Sequence, residues 1–247
     1  MSRRSFSLHR ARRLVAAVLA LAGVTGFVIL NPNSYDNIPD TSAESNSTDQ
    51  INESSNDSPL AIEILKRLEV KGRAPKTGYD RKQFYDGWPS IEGCNLRQRI
   101  LRREFGDTAK LADDNCSVLA GEFDEPYTGK HLQFSEKTAI SKGVQIDHVV
   151  ALSDAWQKGA QNLSKDERYN LATDPLNLLA VDASTNQDKS DGDAATWLPP
   201  NKFFRCQYIA RQISVKYKYH LWVTEAEKTA MNTVLENCPN EKAVGIE

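Results

Sequence analysis

Val144-Gln-Ile-Asp147-His148-Val-Val-Ala-Leu152, then a helix-like insertion, then Asn177-Leu-Leu-Ala-Val-Asp182 and Ser184-Thr-Asn186-Gln-Asp-Lys189-Ser-Asp191-Gly-Asp193: these runs decide how the chain is read. Gln145 to Leu152 is apolar and β-branched enough for a strand, yet it carries an acid and an imidazole side by side. Ser153 is placed to cap a short helix starting at Asp154. Ser164-Lys-Asp-Glu167 has the capping-box pattern and opens a second helical piece that ends near Thr173-Asp-Pro175. Asn177 to Asp182 reads as the return strand. Ser184-Thr-Asn186-Gln187 is a further capping box, which puts Asn186 in the first turn of a helix. Lys189 follows three residues later, on the same face. Strand, insertion, strand and helix predict an α+β fold organised around a hairpin and the helix behind it.

The unit gathers the residue types that phosphodiester hydrolysis needs. Asp147 and the Asn186 amide offer two oxygen ligands, a donor set that suits one hard divalent cation, Mg²⁺ or Mn²⁺, better than zinc. A neutral His148 can take a proton from the attacking water as general base. Lys189 is expected at a phosphate oxygen, and Asn177 is expected to hold the His148 ring or its loop. Neighbouring strand residues point to opposite faces, so Asp147 and His148 meet one site only if the strand twists at its end. Each residue also has an ordinary reading. The Asp-His pair could be a surface feature, Asn177 a turn residue, and Asn186 with Lys189 a solvated helix face. A serine hydrolase built from Ser153, Asp154 and His148 lacks the Gly-x-Ser-x-Gly elbow, and Ser153 is better explained as a cap.

Working outward, not all of the 247 residues are domain. Arg3, Arg4, Arg10, Arg12 and Arg13 precede an apolar run from Leu14 to Leu30, so residues 1–30 read as a signal peptide or signal anchor. Ser2-Arg3-Arg4-Ser5-Phe6 fits a twin-arginine address as well as an ordinary secretory one. The only membrane contact expected is through an uncleaved anchor. Residues 31–58, rich in Ser, Asn and Asp, have almost nothing to bury and read as a disordered spacer. That leaves 59–247 as one folded domain of secreted or envelope-anchored character. The formal net charge of −2 hides near-cancellation of the N-terminal arginines by six spacer acids. The domain is therefore close to neutral, and no bulk basic field advertises nucleic acid.

Cys94, Cys116, Cys206 and Cys238 follow an export signal and lack Cys-x-x-Cys spacing, which predicts disulfides rather than zinc. Of three connectivities, Cys94–Cys116 with Cys206–Cys238 closes the shortest loops. Helices are expected from Pro59, over Leu96–Phe105, over Phe203–Val215 and after the capping box Thr224-Glu-Ala-Glu227. Strands are expected over Ser117–Phe123 and His131–Phe134, with His131 structural and Asp124–Gly129 a turn cluster. Lys71-Gly-Arg73-Ala-Pro-Lys76-Thr-Gly-Tyr79 is a loop whose three cations face either solvent or phosphate.

Asp147-His148-Val149-Val150 resembles the opening of the HNH (ββα-metal) nuclease motif. Asn177, nine residues before Asn186, and Lys189, three after it, match its Asn…Asn-x-x-Lys ending. Lys71–Tyr79, Gly93-Cys-Asn-Leu-Arg97, Asp147–Ala160, Asp174–Val181 and Ala195-Thr-Trp-Leu-Pro-Pro200 resemble the secreted actinobacterial HNH endonucleases related to the C-terminal domain of GmrSD-type restriction enzymes. The resemblance implies a ββα-metal core inside a mainly helical, disulfide-stapled domain. It also implies metal-dependent endonuclease activity on nucleic acid, DNA ahead of RNA, with no obligate protein partner. Its roles are His148 as general base, Asp147 and Asn186 as ligands, Asn177 as positioner and Lys189 at phosphate. Asn186 stands where many such proteins carry a final histidine, which favours Mg²⁺-like ions. Pro89-Ser-Ile-Glu92 and Asn95 depart from the family's acidic first cysteine loop. The rival reading is a catalytically inactive, envelope-associated binding module on the same fold.

Overall fold

A computed structural model describes residues 58–246; the expected signal segment and nearly all of the spacer lie outside the described residues. In chain order the elements are α1 (Ala61–Arg67), β1 (Ser90–Ile91), β2 (Cys94–Asn95), α2 (Leu96–Phe105), β3 (Lys110–Leu111), β4 (Val118–Asp124), β5 (His131–Phe134) and α3 (Lys137–Gly143). They continue with β6 (Val144–His148), α4 (Leu152–Gln157), α5 (Lys165–Thr173), β7 (Leu178–Asp182), α6 (Ala183–Lys189), α7 (Arg205–Lys218) and α8 (Glu225–Leu235). The mixed helix and strand content makes this an α+β domain.

β6 and β7 pair antiparallel, with Val144 opposite Asp182, Asp147 opposite Leu179 and His148 opposite Leu178. Directly opposed residues share a face. Leu179 and Val181 pack into a cluster with α1, α7 and α8. Ile146, Leu178 and Ala180 pack on the other side against Leu96, Ile100 and Phe105 of α2 and Val118 of β4. The hairpin is thus buried on both faces, which is why β7 is apolar without alternation.

Local chemistry sets the ends. Ser164 and Thr224 close the expected capping boxes on α5 and α8. Three boundaries near the site differ from expectation for reasons the hydrogen bonds show, besides small shifts at β7 and α7. β6 stops at His148 instead of continuing to Leu152, because the next backbone amides, Val149 and Val150, bond to Asn177. α4 starts at Leu152, one turn position ahead of the expected Ser153 cap, and carries no side-chain cap. Asp182, not Ser184, caps α6 by accepting from the Thr185 amide. The disulfides join Cys94 to Cys116 and Cys206 to Cys238, the second tying α7 to the end of α8. His131 is exposed and paired with Asp124 at 2.9 Å, so its strand histidine is a surface partner and not a core one.

Candidate active site

Asp147 and His148 do point to opposite faces of β6, yet both border one cleft at the end of the hairpin. The cleft holds about 340 Å³, and its walls include Lys76, Arg81, Ser153, Asn186 and Asp191. Asp147, on the Leu179 side, is 6% exposed. Its Oδ1 accepts from Lys189 Nζ at 2.9 Å, and its Oδ2 accepts from the Tyr127 hydroxyl. Burial first, then the Asp147 charge, pushes the Tyr127 phenol well above its usual range, so it stays a donor. The carboxylate is therefore held in one orientation from two sides.

His148 lies on the opposite side, stacked on Trp88 with ring planes 6° apart, and Tyr85 flanks it at 6.0 Å. Its Nε2 bonds the Ala172 carbonyl at 2.9 Å. A carbonyl only accepts, so Nε2 carries the proton and, in the neutral ring, Nδ1 keeps its lone pair. Burial above all, then the nearby Arg81 charge, lowers the imidazole to about 3. The ring is neutral at ordinary pH, with its Nδ1 lone pair free but less basic than in an exposed imidazole.

Asn177 sits at the end of a 3₁₀ turn, Pro175–Asn177, one residue before the strand in which it was expected. Its Oδ1 accepts from the Val150 amide at 2.8 Å, and its Nδ2 donates to the Leu171 carbonyl at 3.2 Å. It fixes the loop that follows His148; the ring itself is held by Ala172. Asn186 donates through Nδ2 to Gln145 Oε1 at 2.9 Å, which leaves Oδ1 without a partner among the described residues. The oxygen donors that Asp147 and Asn186 bring to this cleft are thus a carboxylate already accepting from two protein groups and an amide oxygen with no partner among the described residues.

Lys189 departs from expectation. Its Nζ is fully buried and bonds Asp147 Oδ1 and, at 2.8 Å, the His148 carbonyl. It faces inward, where it pairs with the buried Asp147 carboxylate. Asn186 and Lys189 do share one side of α6, and that side is turned toward β6 and not toward solvent. Past Lys189, Ser190 takes a φ of 52°, a conformation that favours glycine. A Cβ on Gly192 would sit 2.9 Å from the Lys189 carbonyl, so this tight turn needs glycine there.

Two groups went unseen in the sequence. Tyr127 lay inside a turn cluster, where an unexplained aromatic was the only signal. The other is a buried ion cluster behind the cleft. Lys158, fully buried, meets Asp154 at 2.8 Å, Asp193 at 2.7 Å and Glu227 at 2.6 Å. Lys216, also fully buried, meets Asp154 and Glu227, and Arg73 reaches in to Asp154 and Asp193. Three cations balance three carboxylates. Burial pushes the Asp193 carboxyl up, but Lys158, Arg73 and Thr196 outweigh it and bring it down to about 2. With Asp154 committed to this cluster and Ser153 donating to Asp191 at 3.1 Å, Ser153, Asp154 and His148 form no hydrolase relay.

A protein of Arthroderma benhamiae described as an uncharacterized secreted protein is 38% identical over 181 residues, covering 72% of this chain and 84% of its own. No solved structure matches. Residues 96–234, more than half of the chain, match the family of GmrSD restriction endonuclease C-terminal domains, and this chain belongs to that family.

Proposed function

We propose that this chain is an exported, metal-dependent endonuclease of the HNH (ββα-metal) type, with residues 59–247 as the nuclease domain behind a signal segment and spacer. The family supports a nuclease-like activity in general terms. The observation that carries the finer reading is the convergence of Asp147, His148 and Asn186 on one polar cleft, with Asn186 Oδ1 and His148 Nδ1 both free to act. The secreted description of the Arthroderma relative and the two disulfides support an extracytoplasmic location.

In this reading Asp147 and Asn186 hold one Mg²⁺ or Mn²⁺, which when bound neutralises charge on the phosphate and the leaving oxygen. Lys189 and Tyr127 keep the carboxylate in place, a positioning role for Lys189 instead of a phosphate contact. His148 Nδ1 takes the proton of the attacking water. A phosphate anion beside the ring would offset the Arg81 charge, the smaller of the two main causes that lower the imidazole. DNA is the proposed substrate by family analogy.

One feature favours the alternative, an inactive binding module: both Asp147 oxygens already accept from protein groups. Nicking of supercoiled plasmid in Mg²⁺ or Mn²⁺, with and without EDTA, separates the two. We expect metal-dependent cleavage that His148→Ala abolishes. That variant also strands the Ala172 carbonyl, a cost of about 1–3 kcal/mol, so it is assayed well below its melting point. Folded wild-type protein that neither cleaves nor binds a divalent ion would leave the module reading; full activity in His148→Ala would remove the imidazole from the reaction.

A further inference from the structure

With Lys189 turned inward, the hairpin and α6 present no ammonium to the cleft. The two cations on its wall, Lys76 and Arg81, come from the segment ahead of the family-matched region. We propose that residues 73–81 form a rigid strap serving as the phosphate-binding wall of the cleft. Arg81 takes the phosphate beside His148 and Lys76 takes a neighbouring phosphate of the same strand. This rests on the nuclease reading above and names how that site grips a polyanion.

Arg81 forms no ion pair among the described residues. One guanidinium nitrogen donates to the Tyr85 hydroxyl at 2.7 Å, and the group lies over the Tyr85 ring at 5.4 Å. That ring in turn flanks His148. Arginine has five N–H donors in a planar fork, so most of them remain for a bidentate phosphate contact. Lys76 pairs with Asp191 at 3.1 Å, with side chains 52% and 49% exposed. Such a pair is weak, and an incoming phosphate can displace the carboxylate, which Ser153 retains.

The strap is held stiffly. Arg73 is locked into the buried ion cluster. The Ala74 amide donates to the Gln157 carbonyl at 2.8 Å, Trp222 Nε1 donates to Gly72 at 3.0 Å, and Trp156 Nε1 donates to Thr77 at 3.3 Å. Cations fixed on such a backbone bind phosphate with little further ordering.

The test is anisotropy of a fluorescein-labelled single-stranded oligonucleotide in EDTA across a salt series, with steady-state cleavage in Mg²⁺ alongside. Variants are Arg81→Ala, Lys76→Ala, the pair together, and Arg102→Ala as a control on a different cleft. Each strap variant should bind about tenfold more weakly and lose about 0.7 from the slope of log K against log salt, one phosphate contact's worth. Arg81→Ala should also lower kcat, whereas Lys76→Ala should change KM alone and Arg102→Ala neither. Unchanged affinity, slope and KM in both strap variants of an actively cleaving protein would overturn the strap and leave the nuclease reading standing. A wild type that neither binds nor cleaves would take both down.

Discussion

Replacing Lys189 by Met separates the placement seen here from the phosphate contact that its spacing suggested. Methionine fills much of the stem's volume, so the change removes charge more than packing. What remains is the Asp147 carboxylate, 6% exposed, with Tyr127 as its one strong donor, and the His148 carbonyl without its ammonium. Breaking a buried pair by deleting one partner costs about 3–5 kcal/mol. The surviving Tyr127 bond argues for the lower end, near about 3 kcal/mol. In a domain of this size each kcal/mol is worth about 2–4 °C, so the melting point should fall by on the order of 10 °C. Urea unfolding with linear extrapolation, done in EDTA, measures the loss directly. Adding Asp147→Asn to Lys189→Met removes the stranded charge and should recover at least about 1 kcal/mol, a coupling typical of touching residues. A Lys189→Met protein within about 0.5 kcal/mol of wild type, with KM raised and stability intact, would refute the argument and return Lys189 to the substrate.

Two further outcomes follow from groups behind the site. Asp193, lowered to about 2 in the fold from an ordinary 3.8, contributes stability that is fully present above about pH 4. It is lost as pH falls toward 2 and amounts to about 2 kcal/mol at most. NMR titration of its carboxyl carbon checks this, and a midpoint near 3.8 would contradict it. Ser190→Gly should raise stability by about 0.5–1 kcal/mol by relieving the positive φ; a lower urea midpoint would show that the serine side chain is needed in that turn.

How far the residues could be read in advance varied with the range of the physics involved. The hairpin was legible because Leu178–Val181 is a continuous apolar run, a local signal, and Asp147 beside His148 marked the strand before it as unusual. The capping boxes at Ser164 and Thr224 were legible for the same reason. At α6 two local signals competed two residues apart, and Asp182 prevailed because it adjoins the strand end. Asn177 was expected to hold the His148 ring or its loop, and its Oδ1 accepts from the Val150 amide of that loop. Lys158 and Lys216 carried no local signal at all, and Lys189 was expected at a phosphate oxygen and not in the interior. Their partners lie far away in sequence, Asp147 being 42 residues before Lys189 and Glu227 being 69 after Lys158, and no periodicity announces such an encounter. Spacing showed that Asn186 and Lys189 share a side of a helix; only tertiary packing decides which way that side looks.

The six-membered ion cluster has a kinetic corollary. Its members arrive from the strap, α4, the turn after α6, α7 and α8, and none of its acids is comfortable out of water until the last cation is seated. Were such a cluster to complete only after the main barrier to folding, it would act chiefly by slowing escape from the native state. The chain would thus be more durable than its equilibrium stability suggests, a property suited to a protein working where proteases are abundant and repair is absent.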